Sequence, residues 1–272
     1  MPRYGLSDGT VLLYAACLCG FFVDYLENNR KAHRIAFWLL VMVWFFQAAL
    51  FYVKMRETGE FPILTPLDGL FFLSWLIVSL TVLLSRFFYM DFFVFFANLA
   101  GFAAMAISLF GPDDRVPAVL SQHLMNDLLI IHIIIAFVAY AAFTASFIAA
   151  IMYAMEYSML KKKKWGSRLV RFGSLAKLEQ AAFLFNLAGF PLLMVSLILG
   201  VVRAVAVIKG FSWLDAKVVT SFIVLVAYAW YLYQRIGRGV HGIPLVFWNA
   251  VSFLLVLINV FLSETLTAFH LW

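Results

Sequence analysis

An imidazole in a long apolar run is the feature of this sequence that most demands a chemical explanation. His132 sits in Leu129-Ile130-Ile131-His132-Ile133-Ile134-Ile135, where no other side chain is polar. A polar ring in such surroundings is costly unless it hydrogen-bonds or ligates something. Two chemistries suit it: a hydrogen bond to a neighbouring helix, or ligation of a metal through a neutral ring nitrogen. On a helix its face would carry Met125, Leu128, Ala136, Ala139 and Phe143, and the small alanines there admit a neighbouring helix or a flat group to close range.

The other four histidines divide by context. His33 and His241 lie in basic stretches beside Arg34 and Arg238 and read as solvated loop residues. His123 precedes His132 by nine residues, which turns it to the opposite side of a helix, so the two cannot share one metal from one helix. It reads as a loop residue. His270 lies in the terminal stretch Glu264-Thr265-Leu266-Thr267-Ala268-Phe269-His270-Leu271-Trp272. Arg203 and the segment from Lys209 to Lys217, with Trp213 inside it, complete the set. Two imidazoles for iron, cations for propionates and an indole beside a macrocycle are what haem would use. A belt of interfacial aromatics and snorkelling cations predicts the same composition, so both readings stand.

No catalytic constellation competes with these. The sequence has no H-E-x-x-H, G-x-S-x-G, phosphate-binding loop or dinucleotide fingerprint, and no enzymatic turnover is expected. Asp91, Asn98, Asn186, Asn249 and Asn259 are scattered polar residues that could line a path through a bundle, with no pattern that couples them.

The elements that must position these residues are transmembrane helices. Of 272 residues, 65% are hydrophobic and 12% charged, and the mean hydropathy is +0.97, which excludes an ordinary soluble domain. Phe is present 30 times, Trp 8 and Tyr 11, as suits helices whose ends meet headgroups. A spanning helix needs about 20 apolar residues, and such segments recur near 9–27, 35–54, 67–85, 88–110, 125–159, 181–208, 216–234 and 244–263. The expected fold is all-α, an integral membrane protein of eight helices forming a single transmembrane domain over 1–272. Residues 1–120 supply variable N-terminal helices. The fifth and sixth segments exceed the hydrocarbon thickness and are expected to project or tilt. Cys17 and Cys19 fall in the first segment on different faces, which argues against a disulfide.

Basic residues mark the cytoplasmic loops. With both termini outside, most of the 20 Lys and Arg fall inside, in clusters around Arg30, Lys161 and Arg235. His132 is then about 12 Å into the membrane from the outer side, the side that His270 shares. Lys161, Lys162, Lys163, Lys164, Arg168 and Arg171 form the densest charge cluster, suited to anionic lipid or to a soluble partner. These clusters account for the net charge of +6, so no nucleic-acid partner is inferred.

From His132 onward the chain resembles the cytochrome c assembly family of polytopic haem-handling proteins, and within it the HemX branch. The residues that carry the resemblance are His132 followed by Ala139-Tyr140-Ala141-Ala142-Phe143, then Leu187-Ala188-Gly189-Phe190-Pro191-Leu192-Leu193 and Leu199-Gly200-Val201-Val202-Arg203-Ala204. After these come Trp213-Leu214-Asp215-Ala216-Lys217, Tyr231-Leu232-Tyr233, Leu257-Ile258-Asn259 and Phe269-His270-Leu271-Trp272. The resemblance makes 121–272 the assembly-like region. It implies haem b held by His132 and His270, with Arg203 and Trp213 beside it, in a bacterial cytoplasmic membrane. Of the several tryptophans in the family's outer loop only Trp213 is evident, and Arg203 stands where the family tends to have tryptophan. For the HemX branch the resemblance implies control of the level of glutamyl-tRNA reductase as partner, read out by the basic cytoplasmic cluster. A transporter of haem or another small molecule, and a haem-free scaffold, are the alternatives.

Overall fold

The computed structural model of the chain describes residues 2–59, 61–63, 65–85, 91–111, 127–163, 174–207 and 212–265. Among them are eight α-helices and no strand: α1 Pro2–Glu27, α2 Arg30–Thr58, α3 Pro66–Leu84, α4 Asp91–Phe110, α5 Asp127–Lys161, α6 Leu175–Val207, α7 Ala216–Leu232 and α8 Ile243–Thr265. All eight are long and apolar enough to cross a membrane. This is a multi-pass membrane protein. The spans read from hydropathy lie within about five residues of these helices except at two starts: α1 begins at Pro2 rather than near residue 9, and α6 begins at Leu175 rather than near residue 181. Its first turns carry Lys177, Glu179 and Gln180, which an apolar window omits, while the Ser174 hydroxyl accepts from the Lys177 backbone N–H at 3.3 Å and starts the helix earlier.

Local chemistry sets the other helix ends. Asn29 caps α2 by accepting from the N–H groups of Lys31 and Ala32 at 3.0 and 3.2 Å. Gly59 closes the same helix in the left-handed region at φ 72°. Thr65 caps α3, with Pro66 in its first turn, and Lys54 pairs with Asp68 across the α2–α3 connection.

Helices α1–α4 make one compact unit. Its core includes Tyr14, Cys17, Phe21, Leu40, Val43, Val78 and Met105. Polar side chains in this core find partners on other helices, as hydrocarbon requires. The Tyr14 hydroxyl donates to Asn98 Oδ1 at 2.9 Å, Asn98 Nδ2 donates to Thr81 Oγ1 at 3.1 Å, and Gln47 Nε2 donates to Ser74 Oγ at 2.9 Å. Cys17 is buried, Cys19 is exposed and both thiols are free, as their spacing implies. His33 departs from the loop reading. It lies in the first turn of α2, half-buried, with Nδ1 3.1 Å from Oδ2 of the buried Asp24. Only the approach of α1 to α2 makes this pair.

Helices α5–α8 make the second unit. Helices α5 and α6, with 35 and 33 residues, run antiparallel and reach about 50 Å each. Small residues on α6 let them pack closely: a Cβ on Gly189 would come within 2.6 Å of the Phe143 ring. Phe143 in turn stacks on Tyr228 of α7 with centroids 3.6 Å apart. Helix α7 ends in a π-turn, Tyr233–Gly237, closed by the Arg238 N–H donating to the Tyr233 carbonyl at 3.1 Å. Such widened turns recur at functional sites.

Gly189→Ala should lower the thermal midpoint of the detergent-purified protein, by an overpacking cost of about 1–3 kcal/mol. Gly9→Ala, where nothing lies within 4 Å, should leave it equal or slightly raised, because alanine is the better helix former.

Candidate functional site

His132 faces α6. Its Nδ1 lies 2.5 Å from the Ser196 carbonyl oxygen. A carbonyl only accepts, so Nδ1 carries the proton and Nε2 holds the ring's lone pair. The Ser196 hydroxyl donates back to the His132 carbonyl at 3.0 Å and also lies 3.0 Å from Nδ1. Helix α6 thus binds both the side chain and the backbone of His132. Among the described residues Nε2 meets no hydrogen-bond partner.

The ring also needs room, and Gly200 supplies it. A Cβ there would stand 2.6 Å from His132 Cε1, 3.0 Å from Nδ1 and 3.1 Å from Nε2. Any larger residue would push the imidazole away from Ser196. The interhelical hydrogen bond and the metal-ligand reading are therefore compatible. An N–H donated to a backbone carbonyl is the usual way a protein fixes the tautomer and aim of a ligating histidine.

Other sequence candidates fall around this end of the second unit. Arg203 is one turn beyond Gly200 and seven residues beyond Ser196 on α6, which puts it on the same helical face. Lys217 is near enough to act electrostatically on His132. Trp213, 60% exposed, stands in the turn before α7, and Asp215 caps that helix by accepting from the Lys217 N–H at 2.8 Å. His270, His123 and Met125 lie outside the described residues. So do Lys164, Arg168 and Arg171, while Lys161, Lys162 and Lys163 are exposed at the end of α5 about 43 Å from His132. Among the described residues no three His, Cys, Asp or Glu side chains gather to hold a bare metal ion. His132 offers one ligand.

A family model described as cytochrome C assembly protein matches residues 63–270. The chain belongs to the cytochrome c assembly family. The match takes in α3 and α4 as well as the stretch from His132 onward. Over 265 residues the chain is 42% identical to Protein HemX of Bacillus subtilis (strain 168), covering 97% of this chain and 96% of that one. It is 40% identical over 267 residues to Protein HemX of Brevibacillus brevis, covering 98% and 97%. A more distant family member, the cytochrome c biogenesis protein CcsA of Prochlorococcus marinus (strain MIT 9215), is 25% identical over 252 residues, covering 85% and 81%.

Sequence reading missed the partners of His132. Ser196 and Gly200 belong to a stripe on α6 that includes Ala182, Gly189 and Ala204 at helical spacing, and that stripe was the available signal for close packing. It also missed a polar cluster at the lysine end of the second unit. There Glu179 accepts from the Gly242 N–H at 3.0 Å and pairs with His241 at 2.5 Å and Arg235 at 3.3 Å. His241 is exposed as expected, yet it is held by a carboxylate from a distant part of the chain.

Ser196→Ala keeps the carbonyl and loses only the hydroxyl bond, so it should cost about 1 kcal/mol of stability. Gly200→Ala should cost more, about 1–3 kcal/mol, because it displaces the ring. Paired thermal unfolding curves in detergent check the order.

Proposed function

We propose that this protein is a HemX-type membrane protein that binds haem b at the His132 end of its second unit, with His132 and His270 as the residues that would hold it. The observation that carries the reading is the His132 geometry: a neutral imidazole pinned through Nδ1 to the Ser196 carbonyl, its ring flat on Gly200. That arrangement fits an imidazole that would hold haem iron, and Arg203 and Lys217 are the cations suited to propionates. Trp213 would lie beside the porphyrin. When bound, haem would supply a redox-active iron centre and a strong visible absorbance. The residues of this chain would orient the imidazole, hold its proton on Nδ1 and neutralise the carboxylates.

The charge asymmetry supports an orientation in a bacterial cytoplasmic membrane with both termini outside. Lys161, Lys162 and Lys163, with Lys164, Arg168 and Arg171, then face the cytoplasm, against anionic lipid and a soluble partner. The kinship to proteins named HemX supports control of haem biosynthesis, through the level of glutamyl-tRNA reductase, as the outcome, with haem handling for cytochrome assembly the other role open to the same site.

An absorbance spectrum of the purified protein, oxidised and reduced, tests the cofactor. A Soret band that weakens or shifts in His132→Ala and in His270→Ala is expected, and a blank spectrum after haemin addition would refute the site. Reversing Lys161, Lys162 and Lys163 to glutamate should change reductase abundance in cells while leaving the haem spectrum intact. Unchanged abundance would remove the readout.

A further inference from the structure

Nδ1 of His132 meets two acceptors, and both belong to Ser196. The carbonyl oxygen lies 2.5 Å from it and the hydroxyl oxygen 3.0 Å. The hydroxyl proton is committed elsewhere, donated to the His132 carbonyl at 3.0 Å, so the hydroxyl lone pairs can receive the Nδ1 proton. One imidazole N–H is thus shared by two oxygens of a single residue, 64 positions away on another helix.

A carbonyl inside an α-helix already accepts the N–H of the residue four positions on. For Ser196 that residue is Gly200, and a Cβ on it would stand 3.0 Å from Nδ1 and 2.6 Å from Cε1. Glycine there uncovers the flank of the carbonyl, whose second lone pair takes the imidazole N–H. Ser196 and Gly200 together form a seat that holds one ring nitrogen and presents the other.

The seat has an electronic consequence. Oxygen acceptors at Nδ1 draw its proton toward themselves and leave the ring richer in electrons, which makes Nε2 a stronger donor. An imidazole that gives its Nε2 pair to a cation also becomes a more polar donor at Nδ1, and hydrogen bonds with charged character are roughly twice as strong as neutral ones. Ferric iron withdraws more density from the ring than ferrous iron does. The bonds to Ser196 therefore strengthen more on the ferric side, and the reduction potential falls. Lys217, near enough to act electrostatically on His132, works in the opposite sense, because a nearby cation favours the less positive iron.

We propose that Ser196 is a positioning residue for the iron that His132 would hold, and that its two oxygens bias that iron toward the ferric state. The inference rests on the haem reading above and gives a role to a residue that acts on iron only through His132.

Redox titration of the full chain, purified in detergent and loaded with haemin, tests it. His132→Gly is supplied with imidazole or with 1-methylimidazole, in which a methyl group replaces the N–H while the other nitrogen still reaches iron. The same two ligands on haem in detergent micelles give the baseline. Relative to it, loss of the N–H should weaken the preference for ferric iron by about tenfold, the low end of what a lost outer-shell partner costs, a rise of about 59 mV for one electron. Ser196→Ala, which keeps the carbonyl, should raise the potential in the same direction by less. Ser252→Ala deletes a buried hydroxyl of α8 that donates to the Trp248 carbonyl at 2.9 Å, and it should leave the potential unchanged. Haem bound at one potential in the unaltered chain and Ser196→Ala, and at baseline difference with the two added ligands, would overturn the seat while leaving the cofactor in place. Equal rises in Ser196→Ala and Ser252→Ala would overturn it as a general loosening of the bundle. A blank spectrum of the unaltered chain after haemin addition would sink the haem reading itself, and this role with it.

Discussion

Inside hydrocarbon there is no water to complete a hydrogen bond, so every polar group carried into the membrane must be answered by another part of the protein. This one constraint organises both units. In the first, Tyr14, Asn98 and Thr81 close a network across three helices, and Asp24 meets His33 across the α1–α2 turn. In the second, Ser146 joins α5 to the Ala182 carbonyl of α6 and receives Asn249 from α8, while Asn259 bonds Tyr140 of α5 and accepts from Thr220 of α7. The apolar contacts are abundant but non-directional, since lipid competes with them on nearly equal terms. The polar bonds fix which helix meets which, and at what height.

Small residues make that answer reachable. His132 can touch the Ser196 carbonyl only because Gly200 has no side chain, and Phe143 can press against Tyr228 only because Gly189 leaves a notch. Both close approaches join α5 to α6, at Gly189 and at Gly200. At the His132 end the polar demand of the imidazole is met on one nitrogen, leaving the other for chemistry. At the lysine end, Glu179 gathers Arg235, His241 and the Gly242 backbone. In a fold governed by polar satisfaction, the exceptions are where ligands are to be sought.

The sequence by itself determined the spans, because crossing a bilayer requires a length of apolar chain and nothing else in the protein can substitute for it. It also singled out His132, since one imidazole among isoleucines is conspicuous at any level of description, and it carried the resemblance to the assembly family, whose model then matched residues 63–270. The separate faces of Cys17 and Cys19 followed from helical spacing alone. Tertiary structure decided the partners. Ser196 is 64 positions from His132 and Glu179 is 62 from His241, and no periodicity within one helix reports contacts between two. His33 read as a solvated residue because its neighbours in sequence are charged, whereas its neighbour in space is a buried carboxylate. The tautomer of His132 and the need for glycine at position 200 are properties of helix pairs, set by how closely two backbones approach, and that distance is written in no single segment.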